Sequence, residues 1–527
     1  PERRHLSIVA ALDWSYRLLD DHQQHTFRQL AVFLTGMIPV DGAAVVLGTD
    51  SPSPLLRDLV DLSLLVAPDD EDRFRILEPI RQYAAMRLDE AGERVPTERR
   101  YAQWLVELAR EMRHLALMGY AHRAFPLLRA QAPAIAAATS WAIQHDEPDT
   151  ALELVAAAGR LWPRVADPRT LREPAREILE RLETPLNDVA VAALATTAFL
   201  YRLDQPHVAE RLGKRLEAQL QHITDPATLA IVNDALAVIP IGRDTVTPEQ
   251  AAACLSQWRT SVDLLAQLGY PAEPQYRNGA ILLDLLGQFD DAQDMLDRML
   301  DFADESRPVV RGLALEMLSD YSLLLRGDHR AALAACQEAA RLLIDSGDLD
   351  YAAEAQARQA WTHTLADEYD QAEEALRRHD EYHALIGLPP ASEAHPLLVA
   401  SIAAGLNRWD QFEAAMRAFF AATPAPSGDA DYEAFLIGHP TTGAHFVHMI
   451  EPLARWLISR DRPNAAADLI AAAPMAFDAT AFIAWEPVGD VARVQRLAEE
   501  LTDATSTDPL TSLDQLYRYM IECTTRN

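Results

Sequence analysis

Apolar positions fall at helical spacing along nearly the whole chain. Val9, Leu12, Tyr16 and Leu19 share one helical face. Asp20 and Asp21 can cap a second helix that carries Phe27, Leu30, Ala31 and Leu34. A third helix is predicted over Val40–Leu47, and Ser51 or Ser53 caps a fourth through Leu55, Leu56, Leu59 and Leu62. The pattern then changes. Leu64-Leu65-Val66 and Phe74-Arg75-Ile76-Leu77 are short apolar runs flanking Pro68-Asp-Asp-Glu-Asp-Arg73, which predicts a β-hairpin with an acidic tip. A helix through Ile80, Ala84 and Leu88 follows and stops near Gly92.

Helices, a two-stranded wing and a closing helix make a winged-helix arrangement. Four carboxylates and one arginine at the wing tip suit a phosphate backbone poorly, so a packing role outweighs direct DNA contact. Further on, a short phrase recurs. Gly287-Gln-Phe-Asp-Asp-Ala292 returns as Gly327-Asp-His-Arg-Ala-Ala332, Asp367-Glu-Tyr-Asp-Gln-Ala372 and Asn407-Arg-Trp-Asp-Gln-Phe412, at 40-residue intervals. Gly, Asp or Asn ends a helix because it tolerates a left-handed backbone. The small residue five positions on lies where two antiparallel helices touch. Twelve positions before it stand Ala280, Ala360 and Ala400, with Asp320 as the exception. One hairpin cannot bury its apolar face alone, so copies must stack. These features resemble the tetratricopeptide (TPR) repeat at a longer period. Looser copies stand at Asp146…Ala151, Asp204…Ala209, Val246…Ala251 and Asp461…Ala466.

In such stacks the first helix of each hairpin lines a concave groove. Counting back from the aligned positions places Ile281, Tyr321, Trp361 and Ser401 in one row and Asp284, Leu324, Thr364 and Ala404 in another, with Arg277 and Glu354 flanking. Arg277, Asp284, Tyr321, Glu354, Trp361 and Thr364 are the candidate ligand or partner residues. Tyr321 and Trp361 could stack a ligand, or could pack between hairpins.

Composition narrows the classes. An apolar content of 49% excludes a disordered chain, and no apolar run is long enough to span a membrane. No leader peptide is visible, and three distant cysteines suit a reducing cytoplasm without a disulfide framework. A net charge of −32 repels nucleic acid and anionic membranes unless basic groups cluster locally. Lys214 is the sole lysine. Gly213-Lys214 lacks the rest of a phosphate-binding loop, and no Gly-x-Ser-x-Gly or Cys/His pair suggests an enzyme. His379-Asp-Glu-Tyr-His383 sets two imidazoles one helical turn apart. A solvated helix face outweighs a metal pair there, and the same holds for His439, His445 and His448, so no metal is expected.

His5-Leu-Ser-Ile-Val-Ala-Ala-Leu-Asp-Trp-Ser-Tyr-Arg-Leu-Leu19, Phe27-Arg-Gln-Leu-Ala-Val-Phe33 and Phe74-Arg-Ile-Leu-Glu-Pro-Ile-Arg-Gln-Tyr-Ala84 resemble the segment that follows the nucleotide-binding domain in bacterial STAND regulators of LuxR and SARP type. Tyr101-Ala-Gln-Trp-Leu-Val-Glu-Leu108 and Ile135–Trp162 continue the resemblance, which covers about residues 1–183. With a boundary near Glu183–Asp188 and a Pro-rich break at Ala422–Ala430, the chain divides into a winged-helix module (1–95), a helical connector (96–185), TPR-like repeats (186–422) and C-terminal helical repeats or a cap (423–527). The expected fold is mostly α: a winged helix, then a right-handed αα-hairpin superhelix. The resemblance implies the sensor arm of a transcriptional regulator, with ATP or ADP on an upstream domain and none in this chain. Its partners would be that nucleotide-binding domain and an inducer ligand or protein. Where relatives carry a Met-His-Asp motif against ADP, this chain has Ile76, Leu77 and Glu78; the His contact is missing, and Glu78 is left to cap the helix or face nucleotide. A constitutive scaffold and a DNA-binding regulator are the competing classes.

Overall fold

The structure is a computed structural model of the chain. It describes residues 2–67, 73–183, 185–202, 205–240, 247–387, 394–422, 449–481 and 494–499, with the single positions 501, 515, 516, 519, 520 and 523. The acidic wing tip, the Pro-rich stretch after residue 422 and the trio His439, His445 and His448 lie outside the described residues.

The head runs α1 (Glu2–Arg17), α2 (Asp21–Gln29), β1 (Met37–Pro39), α3 (Val40–Leu47), α4 (Pro52–Asp61), β2 (Arg73–Arg75) and α5 (Glu78–Glu90). Val66 and Arg75 exchange both backbone hydrogen bonds, at 2.8 and 3.2 Å, so the two expected wing strands do pair. On its other edge β2 pairs antiparallel with β1, Ile38 opposite Phe74. β1 was not legible in the pattern, because three residues ending in Pro39 are too short to show a period of two. Asp20 caps α2 in a reciprocal box: Gln23 N–H donates to its Oδ1 at 2.8 Å, and Asp20 N–H donates to Gln23 Oε1 at 3.1 Å. Ser51 occupies the cap position of α4 without a side-chain bond, and Pro52 starts that helix instead by fixing φ. Phe27, Tyr16 and Tyr83 meet with ring centroids about 6 Å apart at the centre of the head.

α6 (Arg94–Leu117) leaves the head and α7 (Ala121–Gln144) returns along it, followed by α8 (Pro148–Ala158), a 3-10 turn (Gly159–Arg164) and α9 (Arg169–Arg181). Hairpins follow: α10 (Asp188–Tyr201) with α11 (Pro206–Glu217), α12 (Pro226–Val238) with α13 (Pro248–Gln267), α14 (Tyr276–Asp284) with α15 (Phe289–Phe302), α16 (Pro308–Asp320) with α17 (His329–Asp345), and α18 (Leu349–Leu365) with α19 (Tyr369–Leu385). After them come α20 (Ala394–Gly405) with α21 (Trp409–Ala422), then α22 (Ile450–Ser459) with α23 (Pro463–Ala481).

The repeated phrase does what its chemistry requires. Gly287, Gly327, Asp367 and Asn407 adopt φ of 70, 62, 62 and 55°. Asp146 and Asp461 do the same at 58 and 59°, while Asp204 and Val246 fall outside the described residues. Ala151, Ala209, Ala251, Ala292, Ala332, Ala372, Phe412 and Ala466 are all fully buried. In most copies the residue after the turn donates five back, as Glu368 N–H does to His363 O at 2.8 Å. In the second copy Asp328 N–H reaches six back, to Ser322 O, because Tyr321–Leu325 forms a π-helical turn. That turn holds one extra residue. It puts Ser319, 2% exposed, on the seam and turns Asp320 off it, which accounts for the broken small-residue pattern.

First helices lie side by side from α14 through α16 and α18 to α20, and the stack curls. α16 meets α7, and α18 meets the 3-10 turn. Apolar packing is continuous from the head to Ala355, and a second cluster centres on Phe412, Phe419, Trp456 and Leu469. Ala360, Trp361, Ala372, Leu398 and Ile402 join them. Cys254, Cys336 and Cys523 are buried free thiols. Among the described residues, no helix is long and apolar enough to cross a membrane.

Ala372→Leu would force a branched side chain into the seam between α18, α19 and α20. It is expected to cost about 1–3 kcal/mol, read as a lower urea midpoint with an unchanged helical circular dichroism spectrum.

Candidate functional site

The curl encloses a cavity of about 220 Å³. One wall comes from the connector and the first hairpin: Arg113 and Leu117 of α6, Arg160 and Arg164 of the 3-10 turn, and Phe199 and Arg202 at the end of α10. The facing wall comes from the repeats: Asp234 of α12, Arg277 and Asn278 of α14, Val309 and Leu313 of α16, and Asp350 and Tyr351 of α18. The lining is therefore apolar with an arginine-rich floor.

Each arginine can be followed to its partner. Arg164 grips Asp348, which is fully buried, with Nε at 3.2 Å and Nη2 at 2.5 Å. Arg277 faces the fully buried Glu316 at 3.1–3.3 Å. Glu316 also meets Arg358, which binds Asp320 at 2.8 Å and lies 3.7 Å from Glu354. Arg164 and Arg277 both lie over the Tyr351 ring, at 4.5 and 4.3 Å from its centre. Arg160 pairs with Asp234. Arg202 stacks on Phe199 at 4.3 Å, and its buried Nε has no hydrogen-bond partner among the described residues.

Burial and the neighbouring Arg202 push the Arg160 guanidinium down to about 9. Burial also lowers Arg202, with Arg277 adding like-charge repulsion against the pull of Tyr351 and Asp350. Burial, then the like charges of Asp348 and Glu354, raise Asp350 to about 7. Burial therefore works against the charged form of Arg160 and Arg202 on this lining, and an anion placed beside them would offset that cost.

The sequence-derived candidates separate along the array. Arg277 lines this cavity. Asp284 accepts a hydrogen bond from Tyr321 Oη. Tyr321 and Trp361 are 6% and 8% exposed, packed between hairpins and not presented to solvent. Trp361 and Thr364 border a recess of about 10 Å³, closed by Glu451 and Arg455 of α22. Glu354 sits at the α18–α19 seam. Glu78 takes hydrogen bonds from Arg81 at 2.8 Å and Gln82 at 2.8 Å and braces the first turn of α5; Arg81, then Gln82, hold its carboxyl below the usual range. His379 and His383 are 3% and 0% exposed, which corrects the solvated-face expectation: their helix turns that edge toward α18. Arg160, Arg164 and Arg202 escaped the repeat count because they precede the regular copies.

No family model matches this sequence. Three curated relatives, one from Mycobacterium bovis and two from strains of Mycobacterium tuberculosis, are each described as a "Putative HTH-type transcriptional regulator". Each is 31% identical over 172 residues, covering 30% of this chain but 19% of the relative. This chain thus matches under a fifth of their length. Among solved structures, a "Signal Transduction ATPase with Numerous Domains (STAND) protein with a tetratricopeptide repeat sensor" from Pyrococcus horikoshii superposes with a TM-score of 0.41 at 13% identity, over 77% of this chain and 63% of that one. At that score the two differ too much for the likeness to decide anything.

Burial raises the Asp284 carboxyl to about 7, against the Tyr321 hydrogen bond and helped by Asp320. The folded protein therefore keeps a proton that the unfolded chain releases above pH ~4, and stability falls as pH rises from about 4 through 7. Asp284→Asn is expected to be more stable than the parent at pH 8 by roughly 2–4 kcal/mol, with the difference vanishing near pH 4. Urea midpoints at the two pH values check this.

Proposed function

We propose that this chain is the sensing arm of a STAND-type transcriptional regulator. A small anionic ligand with an apolar body enters the central cavity, and its occupancy controls a nucleotide-binding domain that this sequence does not contain. ATP or ADP belongs to that domain. The observation that carries the reading is the cavity itself: it lies between the connector and the repeats, and the buried Nε of Arg202 on its lining has no hydrogen-bond partner among the described residues. In a chain of net charge −32, a cationic interior is a local departure that selects for an anion.

α6 links the cavity to the head. Its first half is fixed in the head, where Trp104 Nε1 donates to Asp41 at 2.9 Å and Arg100 to Val46 O at 2.7 Å. Its last turns carry Arg113 and Leu117 into the cavity wall. A helix of 24 residues spans about 36 Å, so a shift at the ligand becomes a shift of the head. Trp14 on α1 and Leu18 just past its end, 67% and 64% exposed, would give the nucleotide-binding domain an apolar seat. A regulatory role also fits the description of the mycobacterial relatives.

Two measurements test this. Scanning fluorimetry with organic carboxylates and phosphate esters, set against their neutral analogues, is expected to show stabilisation by a matching anion. Arg202→Ala removes that shift while keeping the parent's circular dichroism. In the full-length regulator the same anion and ADP change each other's affinity by one common factor, roughly 5–150-fold. A saturating anion that leaves ADP affinity unchanged overturns the switch and leaves a constitutive scaffold.

A further inference from the structure

A separate cluster lies at the seam of α18 and α19. Asp350 and Glu354 stand one turn apart on α18, and His379 and His383 stand one turn apart on α19. The helices run antiparallel, so the two pairs face each other. Glu354, His379 and His383 each bring one ligand atom to within 4.8 Å of the others. His383 Nε2 lies 3.9 Å from Asp350 Oδ1. The imidazole rings are 4.4 Å apart and tilted by 56°.

The surroundings match what a metal site needs. His379 Nδ1 is 2.9 Å from Asp380 Oδ1, so Nε2 is the nitrogen left for a metal. A carboxylate behind a ligating imidazole fixes its tautomer and raises its basicity. Asp380 is itself held by His395 Nε2 at 2.9 Å. Two imidazoles and one or two carboxylates suit zinc and its neighbours rather than calcium or magnesium, which prefer all-oxygen shells.

We infer that Glu354, His379 and His383, with Asp350 as fourth ligand, form a divalent transition-metal site of zinc type that staples α18 to α19. Four protein ligands leave no open position, so the role is structural or regulatory and not hydrolytic. The site rests on other residues than the anion proposal apart from Asp350, which also lines the cavity, and zinc binding is read out without the anion.

The test uses the full chain, tag-free and stripped with chelator. After incubation with zinc and dialysis, elemental analysis is expected to find one zinc per chain, and cobalt is expected to give the visible absorption of a tetrahedral complex. Glu354→Gln is partly exposed and close in shape; it should weaken zinc at least tenfold at parental circular dichroism. His383→Gln should abolish binding, and if that variant fails to fold, Glu354→Gln alone decides. No zinc on the parent chain overturns the inference, as does binding that Glu354→Gln leaves unchanged. Loss in His395→Gln with full retention in Glu354→Gln moves the metal to His379, Asp380 and His395, and overturns this ligand set.

Discussion

Each αα-hairpin in this chain has one apolar face that it cannot cover itself, and the rest of the structure follows from that constraint. A hairpin must lay its face on the next, and close approach needs small residues at the contact. Ala292, Ala332 and Ala372 meet that need, and left-handed turn residues set the helices at the required angle. A regular stack of such units winds, and winding brings α18 back to the connector. There Arg164 meets Asp348, 184 positions away in sequence. A carboxylate buried this deeply costs several kcal/mol unless paired. The pair thus contributes little net stability but fixes where the curl closes.

Closing the curl gathers charge from distant segments into one low-dielectric interior. Arg277, Glu316, Arg358 and Asp320 form a linked row across α14, α16 and α18. Arg160 and Arg202 stand where that row gives way to the cavity. Guanidinium groups tolerate such a place better than ammonium groups do, since they stack on Phe199 and Tyr351 and carry their charge over a plane. That use fits a chain whose cationic residues are all arginine save Lys214.

What was legible in the sequence was local. Period, turn and seam are written within a few residues of each other, so Gly287, Asp367 and Asn407 could be read directly with Ala292, Ala372 and Phe412. The Leu64–Leu77 hairpin was equally local. The missing parts depend on winding or on one inserted residue. The π turn at Tyr321–Leu325 shifts its helix by a register that no count of 40 reveals. Arg160, Arg164 and Arg202 become neighbours of Arg277 only through the closed curl. His379 and His383 looked like an exposed edge because their flanking residues are charged, whereas packing against α18 buries both.

The Arg164–Asp348 contact bears on how the chain is born. Hairpins can form one by one as they leave the ribosome, because their contacts are close in sequence. The cavity cannot exist until Asp350 and Tyr351 have emerged and swung back against the connector. A nascent chain therefore passes through a long period in which Arg160, Arg164 and Arg202 lie open to water and to any passing acidic polymer.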